Sequence, residues 1–182
     1  VAVYNTPFDA ANTAVRSFLT SVGEHYWGRK FTTASGAGQT AWKEICADFG
    51  GACAYCETTD GPMQIEHLVM FNRTEYGLHH PGNIVPVCKA CNKRCKDDTK
   101  CFVGWRDHLA RVCTGLPPSV AAARQARIEQ HIVKFSYPNL SPQERHAIRV
   151  IAESLYENVK TEVVKSLALY EKLDEAFVDR TA

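Results

Sequence analysis

The chain has 182 residues, 45% of them apolar and 10% aromatic, enough to fill the interior of one sizeable domain, so disorder is excluded as the default reading. Lys and Arg total 21 against 20 Asp and Glu, and the formal charge of +1 excludes a globally basic coat for nucleic acid. No apolar run approaches the roughly 18–20 residues that span a bilayer, and the N-terminus lacks a basic patch followed by an apolar stretch, so a soluble, cytoplasmic protein without a membrane partner is expected.

Phe8, Val15, Phe18, Leu19 and Val22 recur at helical intervals and predict an N-terminal helix over 7–22, with Gly23 as its stop. The stretch 28–38, rich in Gly, Ser and Thr, reads as a loop whose Arg29 and Lys30 suit contact with a phosphate. A second helix over 39–48 brings Trp42, Ile45 and Phe49 to one face. Residues 53–87 then break into short apolar pieces, MQIEHLVMF and NIVPV, between the turn-prone TTDGP and HHPGN. This pattern predicts two short strands joined by a long loop. Helical patterns return at 89–96, where a short basic helix is expected, at 100–113, and at 118–135 after Leu116-Pro117-Pro118.

Ser141-Pro142-Gln143-Glu144 combines a capping serine, a proline at the first helical position and a glutamate at the third, the signature of a helix start. From there Ile148, Ile151, Leu155, Val159, Val163, Leu167, Tyr170, Leu173 and Phe177 recur every three or four residues, so one helix should run to residue 179. One small core cannot bury such a helix, which predicts packing along other helices or against a second subunit. The expected fold class is α+β, with an N-terminal helical region over 1–50, a central unit over 51–100 and a C-terminal helical region over 101–182.

Charge is distributed unevenly along these segments: residues 88–111 carry +4 and 112–150 carry +3, while 53–87 and 151–182 carry −3 each. The basic block is either a cationic face for phosphates or a solvated surface paired with the acidic last helix. Eight cysteines, at 46, 53, 56, 88, 91, 95, 101 and 113, occur in a chain too large to need disulfide staples, and this points to metal. Cys53-Ala54-Tyr55-Cys56 and Cys88-Lys89-Ala90-Cys91 have the spacing by which two thiolates of one turn grip a tetrahedral zinc, and two such pairs complete a four-cysteine structural site. Cys95 is either a competing ligand or a partly buried thiol, and Cys46, Cys101 and Cys113 read as small core side chains.

The string from CAYCE (53–57) through IEHL (65–68) and GNIVPVC (82–88) to CKACNKR (88–94) resembles the HNH nuclease superfamily, over a quarter of the chain and with its elements in the family's order. The resemblance implies a ββα-metal core, in which two antiparallel strands and a helix surround one catalytic divalent ion. It implies that His67 is the general base on water and that Asn83 holds the active-site loop and orients the histidine. Glu66 and Asn92 would ligate the catalytic ion, and the cysteine pairs would hold structural Zn²⁺. This sequence has Glu where Asp is commoner, and Asn at the last position, a neutral oxygen donor that suits Mg²⁺ or Mn²⁺ better than zinc. Many members carry Lys where Cys95 stands, a contact that Lys96, Lys93 or Arg94 would have to replace.

The chemistry runs the same way. Phosphodiester hydrolysis needs an activated water, neutralisation of charge growing on the phosphate and stabilisation of the leaving oxygen. A histidine neutral near pH 7 supplies the first and a metal on Glu66 and Asn92 the others, so 5′-phosphate and 3′-hydroxyl ends are expected. His79 and His80 are further candidates to reach the metal or the phosphate. Lys89, Lys93, Arg94 and Lys96, with Lys100, are expected to position double-stranded DNA through its phosphates, and Arg106, Arg111, Arg124 and Arg127 to extend that surface. Four readings follow. The first is a site-specific endonuclease of restriction or defence type, a homodimer through its C-terminal helices. The others are a nuclease of low specificity, a nuclease subunit directed by a partner, and a non-catalytic zinc module that binds nucleic acid.

Overall fold

The computed structural model describes residues 6–99 and 101–177. Helix α1 spans Pro7–Trp27. The Thr6 hydroxyl accepts the Asp9 amide at 3.2 Å, and Pro7 fills the first position, where a free amide would be an orphan. The helix runs through Gly23, the expected stop, and ends at Gly28. A contact from a distant segment explains the difference: a Cβ on Gly23 would stand 2.3 Å from the carbonyl oxygen of His79. Gly23 therefore serves close packing rather than termination. Helix α2, Gly36–Asp48, begins at Gly36 rather than at 39 and delivers the chain to the first cysteine pair.

The two expected strands form. β1, Gln64–His67, pairs antiparallel with β2, Ile84–Val87, setting Gln64 opposite Val87 and His67 opposite Ile84. Every residue of β2 is buried, which accounts for its unbroken apolar run. Helices α3, Trp105–Val112, and α4, Pro118–Lys134, close over it. The resulting core joins Phe31, Ile45 and Phe49 to Ile84, Val85 and Val87 and to Trp105, Leu109 and Ile128, and so takes residues from all three expected segments.

The short basic helix expected over 89–96 is absent. The chain makes one turn, with the Asn92 amide donating to Cys88 O at 3.0 Å, and then reverses as a small loop. In that loop Asp97 N donates to Cys101 O at 2.8 Å and Val103 N to Cys95 O at 3.0 Å, which uses the backbone groups that a helix would need. The inward pull of Arg94, described below, fixes this path, and the next helix begins at Trp105 rather than at 100. Lys100 lies outside the described residues.

Helix α5, Pro142–Phe177, is 36 residues long, about 54 Å at the usual rise. Its start has the expected reciprocal cap, Glu144 N donating to Ser141 Oγ at 3.2 Å and Ser141 N to Glu144 Oε2 at 2.7 Å. Ile148, Ala152 and Tyr156 pack with Ala11, Val15 and Leu19 of α1 and with Leu78 in a second core. Beyond it the same stripe emerges into solvent, where Leu167 is 57% exposed, Tyr170 64% and Phe177 80%. The molecule is a mostly helical α+β fold with one two-stranded sheet and a four-cysteine cluster. Among the described residues no helix is long and apolar enough to cross a membrane.

Candidate functional site

The cysteine cluster is assembled from two turns at neighbouring ends of the hairpin. Ala54 N donates to Pro86 O at 2.8 Å, which stitches the first pair to β2, while Cys88 and Cys91 follow β2 directly. The sulfurs of Cys53, Cys56, Cys88 and Cys91 all lie within 4.8 Å of one another, and Cys56 Sγ and Cys88 Sγ are 3.7 Å apart. The edge of a tetrahedron with zinc–sulfur bonds of about 2.3 Å is about 3.8 Å, so the four thiols can hold a structural metal such as zinc. Burial pushes the Cys56 and Cys91 thiols up, but at Cys88 the amides of Cys91 and Ala90 and the neighbouring thiols outweigh it and bring the group down to about 7. Cys95 is exposed and stands outside this group of four.

A shell of side chains braces the turns. Glu57, next to Cys56, has the left-handed φ of 62°, and Arg124 holds its carboxylate at 2.8 Å while donating to Tyr55 O at 3.0 Å. His108 Nε2 donates to Cys91 O at 2.9 Å. Arg124, expected on a phosphate-binding surface, is thus a buried anchor of the cysteine turns. Arg106 pairs with Glu129 at 2.8 Å and Arg127 stands 3.9 Å from Glu57, so much of the expected cationic surface is neutralised within the protein.

Successive residues of β1 face opposite ways, and this separates Glu66 from His67. Glu66 turns inward and Arg94 meets it, Nε at 2.7 Å and Nη2 at 2.6 Å from the same carboxylate oxygen. The two side chains are only 7% and 1% exposed, and the guanidinium also donates to His67 O at 2.6 Å and Leu68 O at 3.0 Å. Burial pushes the Glu66 carboxyl up and the Arg94 charge opposes it. Arg94 is therefore a structural tie and not the expected contact to nucleic acid, whereas Lys89, Lys93 and Lys96 are exposed as that role requires. Asn92 donates its amide to Gln64 Oε1 at 2.8 Å. With a guanidinium seated against Glu66 and the Asn92 amide nitrogen turned to Gln64, these residues do not fit the Mg²⁺ or Mn²⁺ expected there, because a divalent cation would have to displace a buried positive charge.

His67 faces the other way, into a half-buried aromatic niche. Phe71 stacks on it with centroids 4.8 Å apart and planes at 16°, and His67 Nε2 lies 3.0 Å from His79 Nδ1. Burial, with His79, Arg94 and Arg16 nearby, pushes His67 down to about 3. Burial also lowers His79, with Glu24 opposing, so both imidazoles are neutral at pH 7. His80 is 1% exposed and accepts the Gly82 amide on Nδ1 at 3.0 Å, a cap for the turn Pro81–Asn83 that leaves it no path to a phosphate. Asn83 is buried at the base of the loop between the strands. Its amide nitrogen donates to Val69 O at 2.9 Å and Leu78 O at 2.8 Å, and its side-chain oxygen accepts the Val69 amide at 2.8 Å. One side chain thus ties both ends of the loop that carries Phe71 and His79.

The structure brings His67, His79 and Phe71 together, gathers the four cysteines, and directs Glu66 and Arg94 to the opposite side of β1. Arg16, exposed on α1 and close enough to act on His67, belongs to the same surface and has no sequence signal, since it comes from a helix far from the motif. Glu24 reaches the site in the same way, its Oε1 accepting the Phe31 amide at 2.8 Å. The chain matches no protein-family profile, no curated protein and no solved structure.

Proposed function

We propose that the protein is a metal-dependent DNA endonuclease of the HNH type that leaves 5′-phosphate and 3′-hydroxyl ends, with a structural zinc on Cys53, Cys56, Cys88 and Cys91. The observation that carries the reading is the hairpin itself: His67 ends β1, Ile84 opposite it follows Asn83, and Asn83 clasps the loop between them. A neutral histidine beside an exposed arginine, in a niche bounded by aromatic rings, suits activation of a water against a phosphodiester. Attack by that water on phosphorus, with one of its protons lost to solvent, breaks the bond to the 3′ oxygen, which takes up a proton from solvent, while Arg16 offsets the charge gathering on the phosphate. Lys89, Lys93 and Lys96 supply backbone contacts that position a duplex without reading its sequence.

Site-specific cleavage of the restriction or defence kind is the form of this activity that the long helix favours. The exposed stripe from Val163 to Phe177 gives a second copy a surface, and a twofold protein matches a palindromic site. The closed Glu66–Arg94 pair favours a second reading, a zinc-stabilised module that binds DNA without cutting it. Incubation of phage genomic DNA with the protein and Mg²⁺ or Mn²⁺ separates these readings. Discrete fragments are expected, a smear would indicate low specificity, and intact DNA would leave the binding module or a nuclease subunit that needs its partner. His67→Ala should abolish cutting while leaving the fold intact, and a His67→Ala protein that still cuts would refute the role of this niche.

A further inference from the structure

We infer that the divalent ion of this site is held by His67 and His79, on the face of β1 opposite Glu66. The inference rests on the nuclease reading for its purpose but on geometry for its location. His67 Nε2 and His79 Nδ1 are 3.0 Å apart. With metal–nitrogen bonds of about 2.1 Å, that separation subtends an angle of about 90° at the ion, the angle between adjacent ligands of an octahedral or five-coordinate centre. Both rings are held before any ion arrives. Phe71 stacks on His67, the ring of Phe31 lies 4.8 Å from that of His79, and the His79 backbone is pressed onto α1 at Gly23. Asn83 fixes the chain immediately before His79 through Leu78 O.

The alternative location is closed by the Glu66–Arg94 pair, whereas on the histidine face both rings are only half-buried and Glu24, paired with Lys30 at 3.1 Å, stands near His79. Two imidazoles leave the remaining positions to water and a phosphate oxygen, as a hydrolytic centre requires. This donor set selects borderline transition ions such as Mn²⁺, Co²⁺ or Zn²⁺ over Mg²⁺, which prefers oxygen. His67 then acts on the attacking water through the ion rather than as a free proton acceptor, and Arg16, exposed on α1, meets the phosphate that the ion draws in.

Calorimetric titration of the untagged, zinc-loaded protein with Co²⁺ tests the assignment, with zinc content measured before and after to show that the cysteine site is undisturbed. One Co²⁺ per chain is expected. His79→Ala and His79→Gln should each weaken binding by at least about 10-fold, since removing a ligand exceeds the effect usual for an outer-shell partner. Asn92→Ala should bind like the parent. Absence of a Co²⁺ site, or its loss in Asn92→Ala but not in the His79 variants, would overturn the assignment. Cleavage assays on the same samples separate the two ideas: binding through His79 without cutting by the parent protein rejects the nuclease and keeps the site, whereas cutting that survives His79→Gln with Co²⁺ still bound rejects the site and keeps the nuclease.

Discussion

Arg94→Met offers the sharpest test of how the two faces of β1 are divided. The substitution keeps an apolar stem of similar length and removes the guanidinium that sits 2.6 Å from Glu66 Oε1. It leaves a carboxylate that is 7% exposed without its counter-charge, and it strips the donors from His67 O and Leu68 O. Breaking a buried pair from one side costs about 3–5 kcal/mol, and the two stranded carbonyls place this case at the upper end. Against a total stability of about 5–15 kcal/mol, a loss of about 5 kcal/mol removes from about a third of the stability to all of it. Urea unfolding followed by tryptophan emission, with zinc present throughout, reads the change directly. Arg94→Met combined with Glu66→Leu should recover most of the loss, because the unpaired charge is gone, and only the carbonyls remain unsatisfied. Arg94→Lys should recover less than its charge would suggest, since an ammonium cannot bridge the carboxylate and two carbonyls with one planar fork. A single variant that loses under about 1 kcal/mol, or a double variant as unstable as the single, would refute the claim that Glu66 and Arg94 form a closed structural pair.

Three other outcomes follow from the geometry. Removal of the metal from the cysteine site with a strong chelator should melt the turns at Cys53 and Cys88 and, through the bond from Ala54 to Pro86, loosen β2, seen as lost far-ultraviolet dichroism that returns with Zn²⁺. Asn83→Ala should cost about 3 kcal/mol, because the Val69 amide and two carbonyls lose their partners at once, and proteolysis should then cut first within 69–80. His80, held at about 4 by burial and by His131 and His79, is neutral in the folded protein while its unfolded form takes a proton below pH 6.5. Stability should therefore fall as pH drops from 6.5 to 4, by about 3 kcal/mol from this residue. His80→Asn, which can still accept the Gly82 amide, should make the denaturation midpoint fall less steeply over that window, the remaining slope belonging to His67 and the other lowered histidines, and an unchanged pH profile would contradict the assigned role.

The parts of the fold that were legible in the sequence are those whose signals are local. The strands, the reciprocal cap at Ser141 and Glu144, and the helices over 118–134 and 142–177 follow from spacing within one element. The errors at Gly23 and at 89–96 both arise from partners far away in the chain. A glycine after an apolar stripe is a stop unless something needs to approach it, and here His79 does. Residues 89–96 have helical composition, but Arg94 is drawn into the protein by Glu66, and its neighbours pair across a loop to residue 103. Two cysteine pairs at matching spacing were enough to indicate the cluster, because the pattern encodes both ligand chemistry and turn geometry.

The site was legible in its residue types and less so in their directions. A sequence string joins Glu66 to His67 as neighbours, yet a strand sends neighbours to opposite faces, and burial decides which face each can use. The inward face of β1 meets Arg94 and becomes part of the core, while the outward face meets a loop that returns through His79 and an arginine from α1. The exposed lysines 89, 93 and 96 follow the cysteine turn and are carried by it, so their position depends on the cysteine cluster more than on the histidine niche. If the ion sits between His67 and His79, the loop from 68 to 80 is the variable part of the machine: Asn83 fixes its ends, and the residues it carries between them choose the metal. Moving a histidine within that loop should change metal preference without disturbing the hairpin, whereas altering Glu66 should disturb the hairpin without changing metal preference.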